Sequence, residues 1–273
     1  MIADWDDAYA NGPHIPDGDA FVARWPVAAA AFRAVLPPDR LRAGLAYGPH
    51  PRERIDLFLP EAHPVGLVVY VHGGYWRAFD RTDWSHLAAG PLGRGWAVAM
   101  PGYPLAPEVR IGAIGRSVAA AIAQAAAAVP GPLVLVGHSA GGQLVARQAS
   151  GPDALAEPLQ RRIRRVLAIS GVHDLRPLLR TRINEDLRLD AAEAAAESPA
   201  LLGPWDGLRL HAWVGGDERP EFIRQTRLLA NVWTGLGADI AETVAPGRHH
   251  FNVFADLAEP ASPLVDALLA EPA

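Results

Sequence analysis

Apolar and polar positions alternate along this chain in two distinct rhythms. Leu67-Val68-Val69-Tyr70-Val71, Ala97-Val98-Ala99-Met100, Leu133-Val134-Leu135-Val136 and Val166-Leu167-Ala168-Ile169-Ser170 are short, nearly continuous apolar runs. Such runs fit strands buried on both faces. Ile55-Asp56-Leu57-Phe58-Leu59 alternates instead, which predicts an early strand with one face in water. Leu208 to Val214 and Ile240 to Val244 predict two late strands. Between the runs lie helical patterns. Arg110 to Val129 is stopped by Pro130-Gly131-Pro132, Pro220 to Gly235 carries Pro in its first turn, and the tail from Pro263 is helical. Early strands followed by regular strand–helix alternation predict a mostly parallel sheet with helices on both faces. Residues 1–41, rich in Asp, Pro and Trp, predict an irregular or helical lead-in. Residues 174–203 interrupt the rhythm with short helical pieces, the place for a small cap. The 273 residues otherwise predict one domain, with no internal repeat.

Composition narrows the function. A net charge of −5 argues against nucleic acid and against a polybasic membrane anchor. All 25 basic residues are Arg, and there is no Cys, so a disulfide frame and a thiol nucleophile are both excluded. The acidic start, Met1-Ile-Ala-Asp-Trp-Asp-Asp, lacks the layout of a signal peptide. The alanine-rich stretch Ser117 to Val129 falls short of the roughly 20 residues of a membrane span. These features predict a cytoplasmic protein with a small-molecule substrate and leave a homodimer open.

One junction carries chemistry. The apolar strand ending at Val136 meets a helix through Gly137-His138-Ser139-Ala140-Gly141-Gly142, a G-x-S-x-G nucleophile elbow. The turn is so tight that side chains at its glycines would collide with neighbouring chain, and it lifts the Ser139 hydroxyl out of the sheet. The first helical N–H, that of Ala140, then points at the oxygen of an attacked carbonyl. A serine hydrolase also needs oxyanion donors, a base and an acid that orients the base. Val71-His72-Gly73-Gly74-Tyr75-Trp76 follows a buried strand and supplies donors at Gly73 or Gly74. His72, in that loop and ahead of the serine, reads as a bracing residue. The acid belongs past Val214, in Gly215-Gly216-Asp217-Glu218. Spacing from the strand end favours Glu218, Asp217 is the shorter alternative, and Asp174 is a distant third. The base is His249 or His250, in the loop after the last strand. No His pattern matches a metal site, and the mechanism calls for neither metal nor cofactor.

These motifs resemble the kynurenine formamidase (arylformamidase) branch of the α/β-hydrolases, near the hormone-sensitive-lipase-like esterases. The resemblance rests on His72-Gly-Gly-Tyr-Trp76 and Gly137-His-Ser-Ala-Gly-Gly142, and extends through Tyr47-Gly48, Arg54-Ile-Asp-Leu-Phe-Leu-Pro60, Tyr103-Pro-Leu-Ala-Pro-Glu108, Ser170-Gly-Val-His-Asp-Leu175, Asn184 and Ser198-Pro199. It implies an α/β-hydrolase fold and the triad Ser139, Glu218 and His250. Glu218 stands two residues before the Pro of Pro220-Glu221-Phe222, and His250 immediately precedes Phe251. It also implies an oxyanion hole of Gly73, Gly74 and Ala140. Tyr75 and Trp76 are expected to wall the acyl pocket. The implied reaction is hydrolysis of N-formylkynurenine to kynurenine and formate. A short-acyl carboxylesterase is the runner-up, and a non-catalytic ligand-binding protein on the same fold a remote third.

Overall fold

The computed structural model describes residues 2–151 and 155–270. Eight strands form one sheet: β1 (Leu41–Ala46), β2 (Arg54–Phe58), β3 (Leu67–Val71), β4 (Ala97–Pro101), β5 (Leu133–His138), β6 (Ile163–Ile169), β7 (Arg209–Gly215) and β8 (Asp239–Ala245). Their order is β1-β2-β4-β3-β5-β6-β7-β8. The pairs β1–β2 and β2–β4 are antiparallel, and every later pair is parallel. The described helices are α1 (Trp5–Tyr9), α2 (Gly18–Val35), α3 (Ala89–Gly93), α4 (Ile111–Ala128), α5 (Ala140–Gln148), α6 (Glu157–Gln160), α7 (Asn184–Leu187), α8 (Ala191–Ala196), α9 (Pro220–Gly235) and α10 (Pro263–Leu269).

The central strands are apolar throughout because successive side chains feed two separate cores. Val69, Leu135 and Ala168 pack toward α4, α5 and α9, with Ile114, Val118, Leu144 and Leu229. Val68, Tyr70, Val134, Val136 and Leu167 pack toward α2, α3 and α10, with Trp25, Leu92 and Leu264. Helix α4 is long and apolar enough to cross a membrane by length and composition, yet half of it is buried inside the fold. Its stripe Ile114, Val118, Ala121, Ile122 and Ala125 lies against the first core.

Two local expectations need correction. The alternation in Ile55–Leu59 predicts a half-exposed strand, but β2 lies between β1 and β4 and is buried from Ile55 to Phe58. Its carboxylate, Asp56, is fully buried. It is kept there by Arg33 of α2, by Arg81 at 3.2 Å and by the Gly44 N–H at 2.8 Å. A buried carboxylate persists only with such partners. Secondly, the pattern alone does not single out β1, a mostly exposed edge strand whose weak periodicity hides it.

The parallel registers bring strand ends level. Val71 pairs with Gly137, Gly137 with Ala168, and His138 with Ile169. The loops leaving β3, β5, β6, β7 and β8 therefore emerge at one edge, the carboxyl edge where parallel sheets place their sites.

Candidate active site

Ser139 sits between β5 and α5 with φ 57° and ψ −118°, a strained backbone for a residue with a side chain. The glycines around it are obligatory. A Cβ on Gly137 would stand 2.1 Å from the Gly141 carbonyl oxygen, and one on Gly141 2.0 Å from that of Val71. The Ser139 N–H donates to the Ile169 carbonyl at 2.8 Å, which ties the turn to the neighbouring strand end.

The serine leads into a continuous hydrogen-bonded chain. Ser139 Oγ lies 3.0 Å from His250 Nε2, and His250 Nδ1 lies 2.6 Å from Glu218 Oε2. All three residues are buried. The other carboxylate oxygen of Glu218 is also occupied: Ser170 Oγ donates at 2.5 Å and the Gly215 N–H at 2.9 Å. The chain can relay a proton from a hydroxyl to an imidazole while a fixed carboxylate holds the ring's far nitrogen.

The structure separates the alternatives that spacing left open. Asp217 is exposed, and its backbone N–H donates to the Arg248 carbonyl at 2.9 Å. Asp174 is engaged by Arg176 at 2.9 Å. The ring of His249 packs edge-on against Phe21 at 4.9 Å, and its Nδ1 accepts from the Phe251 N–H. Of these candidates, Glu218 and His250 are the pair that reaches Ser139.

Gly73 leans on the elbow: a Cβ there would stand 2.8 Å from the His138 carbonyl oxygen and 3.0 Å from the Ser139 Cβ. Gly74 adopts φ +111°, open to glycine and rarely to other residues. Among the described residues, neither glycine's N–H donates to a backbone carbonyl outside regular helices and strands. Ala140 opens α5, where the first N–H groups have no partner within the helix. Gly73 and Ala140 thus adjoin the serine, and Gly74 lines the cavity in front of it. His72 braces their loop: its ring stacks on Tyr103 at 4.3 Å and its Nδ1 lies 2.7 Å from the Gly73 carbonyl oxygen.

The expected aromatic pair divides. Tyr75 lines the cavity in front of Ser139, with its hydroxyl donating to the Tyr9 carbonyl at 2.5 Å. Trp76 is not a cavity wall. It is fully buried, and its indole N–H donates to Gln143 Oε1 at 2.9 Å. The Gln143 amide donates in turn to the Glu197 carbonyl, so Trp76 helps bolt the donor loop and α5 to the 174–203 segment.

Several residues in the site carry no sequence signal. Ser139 and His250 open onto a cavity of about 590 Å³. Its aromatic wall comes from Trp25, Phe79, Trp84 and Phe251, and Trp25 packs edge-on against Phe79, at 5.6 Å, and Phe251, at 5.3 Å. Asp6, Tyr9 and Asn11 line it from the chain's first residues. That segment is anchored by the buried Tyr9 hydroxyl, which donates to Glu221 at 2.7 Å, and its more exposed carboxylates Asp6 and Asp7 meet Arg182 and Arg219. Ser170, at the end of β6 with φ 51°, is the other residue the sequence hides. Its neighbour Gly171 and its place level with the elbow are the clues. Ser170→Ala is expected to lower kcat about tenfold with KM little changed, since hydrogen bonds to charged groups contribute about 1.5–3 kcal/mol. Steady-state kinetics check this; an unchanged kcat would remove Ser170 from the triad's support.

Burial also sets the histidine charges. Burial pushes His72 down to about 4, His173 down to about 3, and, with the nearby His250, His138 well below the ordinary imidazole range. These rings stay neutral in the fold, whereas the unfolded chain binds protons near pH 6.5. Stability is therefore complete above about pH 6.5 and declines as pH falls below it. His72 and His173 are each expected to cost about 2 kcal/mol between pH 7 and pH 5. Urea unfolding at both pH values measures this, and equal unfolding free energies would contradict it.

The chain matches the profile of the alpha/beta hydrolase family over residues 68–271. It is 30% identical to a kynurenine formamidase of Salmo salar over 225 residues, 78% of this chain and 76% of that one. The chain is a kynurenine formamidase-like α/β-hydrolase. A kynurenine formamidase of Drosophila melanogaster is 27% identical over 81% of this chain and 76% of its own. A solved structure from Silicibacter sp. TM1040, which carries a provisional thioesterase assignment, superposes with a TM-score of 0.93. It is 49% identical and covers 97% of this chain and 98% of its own. Esterase 2 of Thermogutta terrifontis shares the fold alone, at 18% identity and a TM-score of 0.64, over 87% of this chain and 98% of its own. As an α/β-hydrolase the protein is a hydrolytic enzyme, with its strand order and elbow in the places that family membership requires.

Proposed function

We propose that this hydrolase works through a serine acyl-enzyme and cleaves N-formylkynurenine to kynurenine and formate. The unbroken chain Ser139–His250–Glu218 at the floor of an aromatic cavity carries the mechanism. The kynurenine formamidase relatives carry the substrate. In this reading Ser139 Oγ attacks the formyl carbon while His250 Nε2 takes its proton. The N–H groups of Gly73, Gly74 and Ala140 hold the oxyanion. Protonated His250 then gives its proton to the aryl nitrogen, the C–N bond breaks, and kynurenine leaves. Water, deprotonated by His250, attacks the formyl-enzyme and releases formate. Glu218 keeps the Nδ1 proton in place throughout. The aromatic wall suits an aryl leaving group, and a formyl group needs little room on the acyl side.

A second reading, an ester or thioester hydrolase, is favoured by the 49% identical structure with its thioesterase assignment. Rates on N-formylkynurenine, p-nitrophenyl acetate and an acetyl thioester separate the two. The formamidase reading predicts a clear preference for the formamide; turnover of the ester or thioester with the formamide untouched would end it. Labelling by a fluorophosphonate, lost in Ser139→Ala, tests the acyl-enzyme chemistry independently of substrate.

A further inference from the structure

The cavity changes character from floor to mouth. Its interior is walled by aromatic rings, while its mouth carries Asp6, Arg77, Arg182, Glu185 and Asp186. Four of these five form two pairs, Arg77 with Asp186 and Arg182 Nε with Asp6 at 3.1 Å. Both pairs are solvent-exposed, and exposed pairs exchange partners at little cost. Arg182 is 83% exposed and meets Asp6 through its inner nitrogen, so the outer edge of its guanidinium faces solvent. The Glu185 carboxylate has no partner among the described residues. Arg182 and Glu185 share one turn, closed by the Glu185 N–H on the Arg182 carbonyl at 3.0 Å, which puts a cation and an anion three residues apart at the cavity mouth.

We propose that Arg182 and Glu185 form a subsite for a zwitterionic α-amino-acid head, the guanidinium taking the carboxylate and Glu185 the ammonium. The aromatic wall holds the aryl group attached to that head, and Ser139 meets the acyl group beyond it. The site then selects acylated aromatic amino acids over headless aryl analogues of equal reactivity. Planar bidentate pairing with a carboxylate is the particular strength of Arg. Both charges are solvent-exposed, so salt weakens their pull on the head and selectivity falls as salt rises. This assignment deepens the formamidase reading and rests on it only for the bond that is cleaved.

Matched substrate pairs test it: N-formyl-L-kynurenine against 2-formamidoacetophenone, and O-acetyl-L-tyrosine against p-tolyl acetate. The wild-type enzyme is expected to favour the headed member of each pair at least tenfold in kcat/KM in low salt. Glu185→Gln and Arg182→Gln are each expected to cut that ratio about tenfold, mainly through KM. No preference in the wild type, or a ratio unchanged in both variants, would overturn the subsite. If both formamides resist hydrolysis while the esters react, the formamidase reading fails and the ester pair still decides the subsite. A larger thermal shift with L-kynurenine than with 2-aminoacetophenone reads the same preference without turnover, and equal shifts count against it.

Discussion

Ser139→Ala lowers kcat by about a factor of 10⁶, the order expected when a hydrolase loses its nucleophile. The variant keeps the cavity and the donor loop, so substrate still binds while the acyl-enzyme cannot form. The elbow adds a second, independent result. Ser139 occupies φ 57° and ψ −118°, and alanine in its place stays under the same strain. Ser139→Gly is equally inactive but relieves that strain, which costs on the order of 1–3 kcal/mol for a residue with a Cβ. Its Tm is expected to exceed that of Ser139→Ala by several degrees, at roughly 2–4 °C per kcal/mol for a domain approaching this size. Calorimetry on the two inactive variants reads it. Equal Tm values would show that the elbow stores little strain, and turnover by either variant within about 100-fold of wild type would place the nucleophile elsewhere.

Glu218→Gln is expected to lower kcat about 10⁴-fold, while Asp217→Asn stays within about threefold of wild type. The severity follows from what holds the carboxylate. Ser170 Oγ and the Gly215 N–H both donate to Oε1, so after the substitution the amide oxygen stays with them. The amide NH₂ is then forced toward His250 Nδ1, where it can only donate. Nδ1 becomes the acceptor, the ring proton moves to Nε2, and Nε2 can no longer take the serine proton. Asp217, exposed and one residue away, reaches no part of this chain. Single-turnover and steady-state rates on one substrate check the ranking, and the reverse order would make Asp217 the acid.

The parts of the site that were legible in the sequence are those built from consecutive residues. Gly137, Ser139 and Gly141 announce a turn that excludes side chains, and Gly73-Gly74 after a buried strand announces a donor loop. The chain order of strands narrows the acid to Asp217 or Glu218 and the base to His249 or His250, and the folded chain brings Glu218 and His250 to Ser139. What escaped was set by contacts between distant positions. Asp56 gives β2 its apparent alternation and reads as a solvent-facing residue, because its partners, Arg33 and Arg81, are remote in the sequence. Trp76 adjoins a catalytic loop and so reads as a pocket wall, yet its indole N–H found Gln143 and took it into the core. Tyr9, Asn11 and Trp25 have no local signature at all, since Tyr9 meets Glu221 across 212 positions.

The cavity wall supplied by Asp6, Tyr9, Asn11 and Trp25 lies wholly outside residues 68–271, the stretch that matches the family profile. Part of the cavity wall is thus encoded apart from the stretch that carries Ser139, Glu218 and His250, while Phe79, Trp84, Phe251 and, Asp6 apart, the charged mouth lie within that stretch. Drift in the codons for residues 6–25 can reshape what the enzyme accepts while leaving the codons of Ser139, Glu218 and His250 untouched. Relatives with the same triad and divergent first segments are, on this logic, the place to look for new substrates.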